Sequence, residues 1–166
     1  MRKLMLKRIF TFLIACSIGY FSFAQPSKNI APFKITLTNG NMFTYQGLKQ
    51  NTPTVLVYFS PTCDHCKHFM DALMRQESQL KNKQIIMITY QPVNEIKTFD
   101  QAYNVATKPY FKIGTEGLTF IVQKYYNIQK FPYIVLYDKQ LKEVKKLSPT
   151  EDPDVLAKEV SSFDPH

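Results

Sequence analysis

Residues 54–80 read TVLVYFSPTCDHCKHFMDALMRQESQL, and this stretch decides the fold. Thr54 to Ser60 is an apolar run of strand length, and Pro61 and Thr62 then turn the chain. Beyond the turn Cys66, Phe69, Met70, Leu73, Met74 and Leu80 keep one apolar stripe at helical spacing. The pattern is a buried strand feeding an amphipathic helix, with Cys63 and Cys66 on the helix's first turn. Unpaired backbone N–H groups and the positive end of the helix dipole favour a thiolate over a thiol at that position. Cys63 is therefore the candidate nucleophile. Cys66, one turn further in, is the candidate resolving thiol, able to attack a mixed disulfide formed on Cys63.

Working outward, the neighbouring segments supply the rest of an α/β domain. Phe33, Ile35 and Leu37 alternate with polar residues, and Asn39-Gly40 precedes Met42 to Tyr45, which predicts a leading hairpin through a type I′ turn. Gln84 to Tyr90 (QIIMITY) has the unbroken apolar character of a central strand covered on both faces. Pro92 opens a helix with Ile96, Phe99 and Tyr103 on one side, and the two strands with a helix between them imply a right-handed parallel βαβ unit. Tyr110 to Ile113 is a candidate short strand, and Leu118, Ile121, Val122 and Tyr125 mark a further helix ended by Asn127. Pro132 immediately precedes a buried strand, Tyr133 to Tyr137; Val144 and Leu147 outline an edge strand; and Asp152-Pro153 caps a last helix carrying Leu156, Val160 and Phe163.

The N-terminal 24 residues differ from the rest. Arg2, Lys3, Lys7 and Arg8 precede an apolar run from Ile9 to Phe23, there is no acid, and Ser22 and Ala24 supply small residues for cleavage after Ala24. The layout predicts a signal peptide over 1–24, an exported, periplasmic location and one domain over 25–166. Leu13-Ile14-Ala15-Cys16 offers a rival reading as a lipobox with Cys16 lipidated, against which the apolar residues after Cys16 argue. An uncleaved anchor is the third reading, for which the apolar run is short. Cleavage would remove Cys16 and four of the 21 basic residues and none of the 13 acids, lowering the formal charge from +8 to +4. So mild and scattered a charge does not suggest nucleic acid. An exported chain whose remaining cysteines stand two residues apart is no disulfide scaffold, so the pair is there to react.

The order of elements, CxxC after the first core strand, and YYNIQKFPYIVLYD before the terminal hairpin and helix resemble the thioredoxin fold. The exported form with a leading hairpin is similar to TlpA/ResA-type thiol-disulfide oxidoreductases. The resemblance covers about Ala31 to Phe163. It implies a thioredoxin-like fold, with a central mixed sheet flanked by helices and an N-terminal β-hairpin extension. It also implies a cis Phe131-Pro132 bond facing the CxxC, so that Thr62, Phe131 and Pro132 shape a substrate groove where a substrate strand pairs beside the attacked sulfur. Read from the residues alone, Pro132 merely begins a strand.

The chain also departs from the resemblance. It has no Trp, and Thr62 stands where thioredoxin-like sequences usually carry one before the first cysteine. The buried acid of thioredoxin maps onto Val57, the Glu of TlpA/ResA-type proteins onto Phe69, and the helix-kinking Pro onto Asp71. Cys66 is left without an obvious general base, with His68, Lys67 or Tyr58 as substitutes. His65, directly before Cys66, would stabilise the Cys63 thiolate and make the disulfide more oxidising, while Asp64 pulls the other way. The alternative is that both are exposed loop residues of small effect.

The residues thus predict an exported oxidoreductase acting on protein thiols or disulfides, without organic cofactor or metal, the redox group being the Cys63/Cys66 disulfide. A reductase would need a membrane electron donor, an oxidase an oxidant. A Cu(I) or zinc protein using Cys63, His65, Cys66 and His68 is the second reading, although one helix cannot easily aim all four at one ion. A noncatalytic binding module is the third. A peroxidase is disfavoured because Ser60, not Thr, lies three residues before Cys63.

Overall fold

The computed structural model describes residues 29–165; the expected signal peptide, Cys16 and the cleavage site lie outside them. The elements run β1 (Lys34–Leu37), β2 (Met42–Thr44), β3 (Thr54–Tyr58), α1 (Asp64–Met74), β4 (Gln84–Thr89), α2 (Val93–Tyr103), β5 (Phe111–Thr115), α3 (Ile121–Tyr126), β6 (Tyr133–Tyr137), β7 (Glu143–Leu147) and α4 (Pro153–Ser162). They build one sheet in the order β2-β1-β5-β4-β3-β6-β7. β3, β4 and β5 are parallel neighbours and the remaining pairings are antiparallel. The mixed sheet with a hairpin extension is the one the resemblance implies.

The topology sets the layers. Stepping twice in the same direction, from β3 to β4 to β5, through crossovers of one hand puts α1 and α2 on one face. There Val55, Val57 and Phe59 pack with Cys66, Phe69, Met70 and Leu73 of α1, Ile96 and Phe99 of α2, and Leu156 and Val160 of α4. The return from β5 to β6 lays α3 on the other face, where Leu56, Tyr58, Ile86 and Ile88 meet Val122, Tyr126 and the N-terminal residues Ile30 and Phe33. β3 and β4 are buried along their whole length, as unbroken apolar runs require.

Three local readings change. In the hairpin loop only Gly40 has positive φ, and its N–H donates to the Leu37 carbonyl at 2.9 Å. The connection is therefore a turn centred on Thr38 and Asn39 and closed by Gly40, not a two-residue type I′ turn, which needs positive φ at both central residues. Leu80 is buried but sits in a separate 3-10 turn, Glu77–Leu80, because α1 ends at Met74. Leu118 lies outside α3 altogether, in a 3-10 turn over Gly117–Thr119. Glu116 explains that boundary: its Oε2 accepts the Val122 N–H at 2.7 Å, so the helix begins where the carboxylate caps it. The hairpin docks on β5 at Gly114, where any Cβ would come within 2.6 Å of the Thr36 carbonyl oxygen. It is held again where the Thr38 hydroxyl donates to buried Asp100 of α2 at 2.6 Å.

Candidate active site

The strand-turn-helix segment places the dithiol as its sequence suggests. Cys63 is the N-cap residue of α1; its N–H donates to the Ser60 carbonyl at 3.2 Å and its carbonyl accepts from Lys67 N–H at 3.1 Å. Both cysteines are free thiols, Cys63 partly exposed and Cys66 only 1% exposed. Burial pushes the Cys66 thiol far above its ordinary range; a backbone hydrogen bond of Ser60 opposes this, and the Cys63 sulfur, as charge and as hydrogen-bond partner, adds to it. Cys66 therefore holds its proton at neutral pH and is shielded from reagents.

This carries a stability consequence. A thiol whose folded pKa lies above its unfolded value contributes stability that is complete below the unfolded pKa, about 8.5, and is lost as pH rises beyond it, because only the unfolded chain then ionises. Between roughly pH 8.5 and 10 the melting temperature of the reduced protein should fall more steeply than that of Cys66→Ala, as thermal denaturation along a pH series will report. Equal slopes would refute the assignment.

Val57 and Phe69, at the two positions where an acid would stand, are both buried and pack around Cys66. The substitute bases fare unequally. Tyr58 points to the opposite face of the sheet, since side chains alternate along β3, and its hydroxyl is committed to Glu116 Oε1 at 2.7 Å. That reading of Tyr58 is corrected. Lys67 and His68 are exposed on α1, and the Lys67 ammonium pairs with Asp64 at 3.0 Å. Asp64, with its side chain 83% exposed, therefore offers a partly neutralised charge beside the dithiol. Asp71, at the position of the kinking proline, accepts the Tyr103 hydroxyl at 3.0 Å. His65 is half-buried within the first helical turn, not in a loop, and its Nε2 is buried without a hydrogen-bond partner among the described residues.

Across the sheet, the Phe131-Pro132 bond is cis and Pro132 is buried. Tyr58 pairs with Tyr133 in the antiparallel β3–β6 ladder, so the next register step brings Pro132 level with Phe59 and Phe131 level with Ser60. The Phe131 ring packs on Tyr58 at 5.9 Å between centroids. Thr62 is exposed, and its hydroxyl lies 3.0 Å from that of Ser60, which also donates to Gln91 Oε1 at 3.1 Å. Among the described residues, no group of three or more His, Cys, Asp or Glu side chains is placed to hold a metal ion, so Cys63, His65, Cys66 and His68 do not converge as ligands.

Residues 51–143, more than half of the chain, match the thioredoxin-like family. The chain belongs to the thioredoxin-like family. No curated protein matches it. Among solved structures this thioredoxin-like chain is similar to a secreted disulfide oxidoreductase of Mycobacterium tuberculosis homologous to Escherichia coli DsbE, with 21% identity, a TM-score of 0.62, and coverage of 80% of this chain and 96% of that one. It is similar to DsbF from the same organism at 16% identity and a TM-score of 0.64, covering 80% and 95%. Arabidopsis thaliana ScoI, solved with copper bound, is similar at 16% identity and a TM-score of 0.60, covering 81% and 96%. At these identities the likeness is one of fold.

Sequence reading missed the supports of this thioredoxin-like site. Ser60, Gln91 and Glu116 lie at strand ends where no periodicity marks them, and Glu116 meets Tyr58 only through the sheet, 58 residues away. A buried-strand tyrosine was the one available signal, because a buried hydroxyl needs a partner.

Proposed function

We propose that the protein is an exported thiol-disulfide oxidoreductase of the TlpA/ResA type, acting on protein disulfides or dithiols through Cys63 and Cys66. The observation that carries this is the asymmetric pair at the head of α1: a partly exposed Cys63 at the N-cap and a buried Cys66 on the first turn. The fold-level likeness to DsbE-like and DsbF proteins supports the same reading.

In the reducing direction, the Cys63 thiolate attacks one sulfur of a substrate disulfide, forming a mixed disulfide and releasing the other sulfur as a thiolate. Cys66 then gives up its proton and attacks Cys63 Sγ, closing the Cys63–Cys66 disulfide and freeing the second substrate thiolate. The Cys66 proton leaves with a released substrate thiolate or with water. The substrate gains two electrons and the pair loses two; the oxidising direction is the reverse. With Val57 and Phe69 in place of an acid, proton loss from Cys66 is the slow step of resolution. His65 raises the potential of the pair, and Asp64, damped by Lys67, lowers it only slightly. Export rests on the layout of residues 1–24.

The test is the equilibrium of the Cys63/Cys66 pair against a glutathione series, with Cys63→Ser as control. A reversible two-electron couple is expected; a potential near about −270 mV assigns a reductase and one near about −120 mV an oxidant. The absence of any couple would sink the proposal and leave metal handling or a noncatalytic module.

A further inference from the structure

At the carboxyl ends of β3, β4 and β5 the surface of the sheet is aromatic. Parallel pairing of Tyr58 with Ile88 carries Tyr90 level with Ser60, and antiparallel pairing carries Phe131 level with Ser60 from the other side. The Tyr90 ring stands between two others, 6.5 Å from Phe131 and 5.8 Å from Phe120. Phe131, Tyr90 and Phe120 therefore form a strip that starts beside the residue whose carbonyl holds the Cys63 N–H and runs to the turn before α3. The edge formed by the ends of parallel strands is where ligands of open α/β sheets collect.

Two features of this strip cost folding energy. Phe120 has φ 50 and ψ 31, the left-handed region. Of the other non-glycine residues with positive φ, Asn51, Asn104 and Asn127 are of a type that tolerates that region; Phe120 shares the strain of a bulky side chain there with Leu141, which lies in the turn between β6 and β7, away from the strip. The segment is clamped there by Glu116, whose carbonyl accepts the Thr119 hydroxyl at 2.8 Å and whose carboxylate caps α3. Beside it Leu118 is 84% exposed and Ile121 is exposed as well. A segment shaped only for stability would carry Gly or Asn at 120 and a polar residue at 118. Residues 117–133 hold Lys124 and Lys130 and no acid, the Lys124 ammonium lies 6.0 Å from the Phe120 ring, and the neighbouring Glu116 carboxylate is buried against Tyr58 and the N-terminus of α3.

We infer that Leu118, Phe120, Tyr90 and Phe131 form a docking strip for an extended segment of the substrate polypeptide that carries a large apolar side chain flanked by acidic residues, next to the disulfide exchanged at Cys63. The inference rests on the oxidoreductase reading and names the substrate class of that site. The apolar side chain covers Leu118 and Phe120, and the acids face Lys124 and Lys130, so the preference weakens as salt rises.

Three disulfide-bearing peptides (apolar with acids, apolar with lysines, and Gly/Ser) and glutathione disulfide are compared as substrates of wild type, Phe120→Gly and Leu118→Ser. Wild type should prefer the apolar acidic peptide. Phe120→Gly should melt at an unchanged or higher temperature, because glycine relieves the left-handed backbone. It should react with glutathione disulfide as before and lose about fivefold in kcat/KM on the apolar acidic peptide. Leu118→Ser should show the same selective loss. Equal rates on all peptides, a preference for the lysine peptide, or losses that extend equally to glutathione disulfide would overturn the inference. If wild type does not react with glutathione disulfide, the oxidoreductase reading itself falls. The strip is then judged by fluorescence anisotropy of the acidic peptide with serines for cysteines, where unweakened binding to Phe120→Gly rejects it.

Discussion

Cys66→Ser should stop turnover and accumulate a covalent adduct between Cys63 and the substrate. Wild-type exchange needs two sulfurs in sequence, and among the described residues Cys66, on the first turn of the helix that Cys63 caps, is the cysteine placed to release the adduct. Serine is close in size and puts a hydroxyl where the thiol was, so the fold should survive, but an alcohol does not displace a thiolate from a disulfide. Cys63 keeps its place at the N-terminus of α1 and still attacks. Non-reducing electrophoresis and mass spectrometry of the protein mixed with a disulfide-containing protein should show one equivalent of adduct, dissolved by reductant and absent from the Cys63→Ser/Cys66→Ser double variant. Undiminished turnover would mean that Cys66 is not the resolving thiol. Adduct on Cys66 in Cys63→Ser at the wild-type rate would reverse the roles, against the burial that separates the two sulfurs.

Lys83→Met should cost about 3 kcal/mol of stability, lowering the melting temperature by on the order of 10 °C, while leaving the redox equilibrium of the cysteines in place. Lys83 is only 2% exposed, and its ammonium donates to the carbonyls of Gln79 at 3.1 Å, Val160 at 3.3 Å and Ser161 at 2.7 Å. Val160 and Ser161 lie in the last turn of α4, whose carbonyls have no helical partner and carry the negative end of the dipole. One buried cation thus closes the terminal helix onto the turn before β4. Burial lowers the Lys83 pKa and the charge of Asp164 opposes that shift, so the site tolerates the cation because carbonyl oxygens surround it. Methionine fills the space of the stem and removes every donor. Denaturant unfolding with an unchanged slope and a lower midpoint would confirm the assignment; a midpoint equal to wild type would show that water replaces the ammonium at no cost.

The sequence by itself determined whatever repeats locally. The strand-turn-helix over 54–74, the buried strand at 84–89, the Asp152 cap of the last helix and the βαβ step follow from spacings of two and 3.6 residues and from residues that start or stop a helix. The pairing of a helix N-terminus with Cys63 was legible for the same reason. Leu118 shows the limit of such reasoning: with Ile121, Val122 and Tyr125 it has helical spacing, yet Glu116 caps the helix only at its own reach, and Leu118 is left in solvent. Only the tertiary structure decided that Tyr58 faces away from the cysteines, because the face a strand side chain takes depends on which layer covers it. The same holds for the apolar walls around Cys66, the Lys83 clamp on α4 and the strip from Phe131 to Phe120. Each joins residues far apart in the chain through the packing of layers and, for the strip, through sheet register, neither of which is a property of any window of sequence.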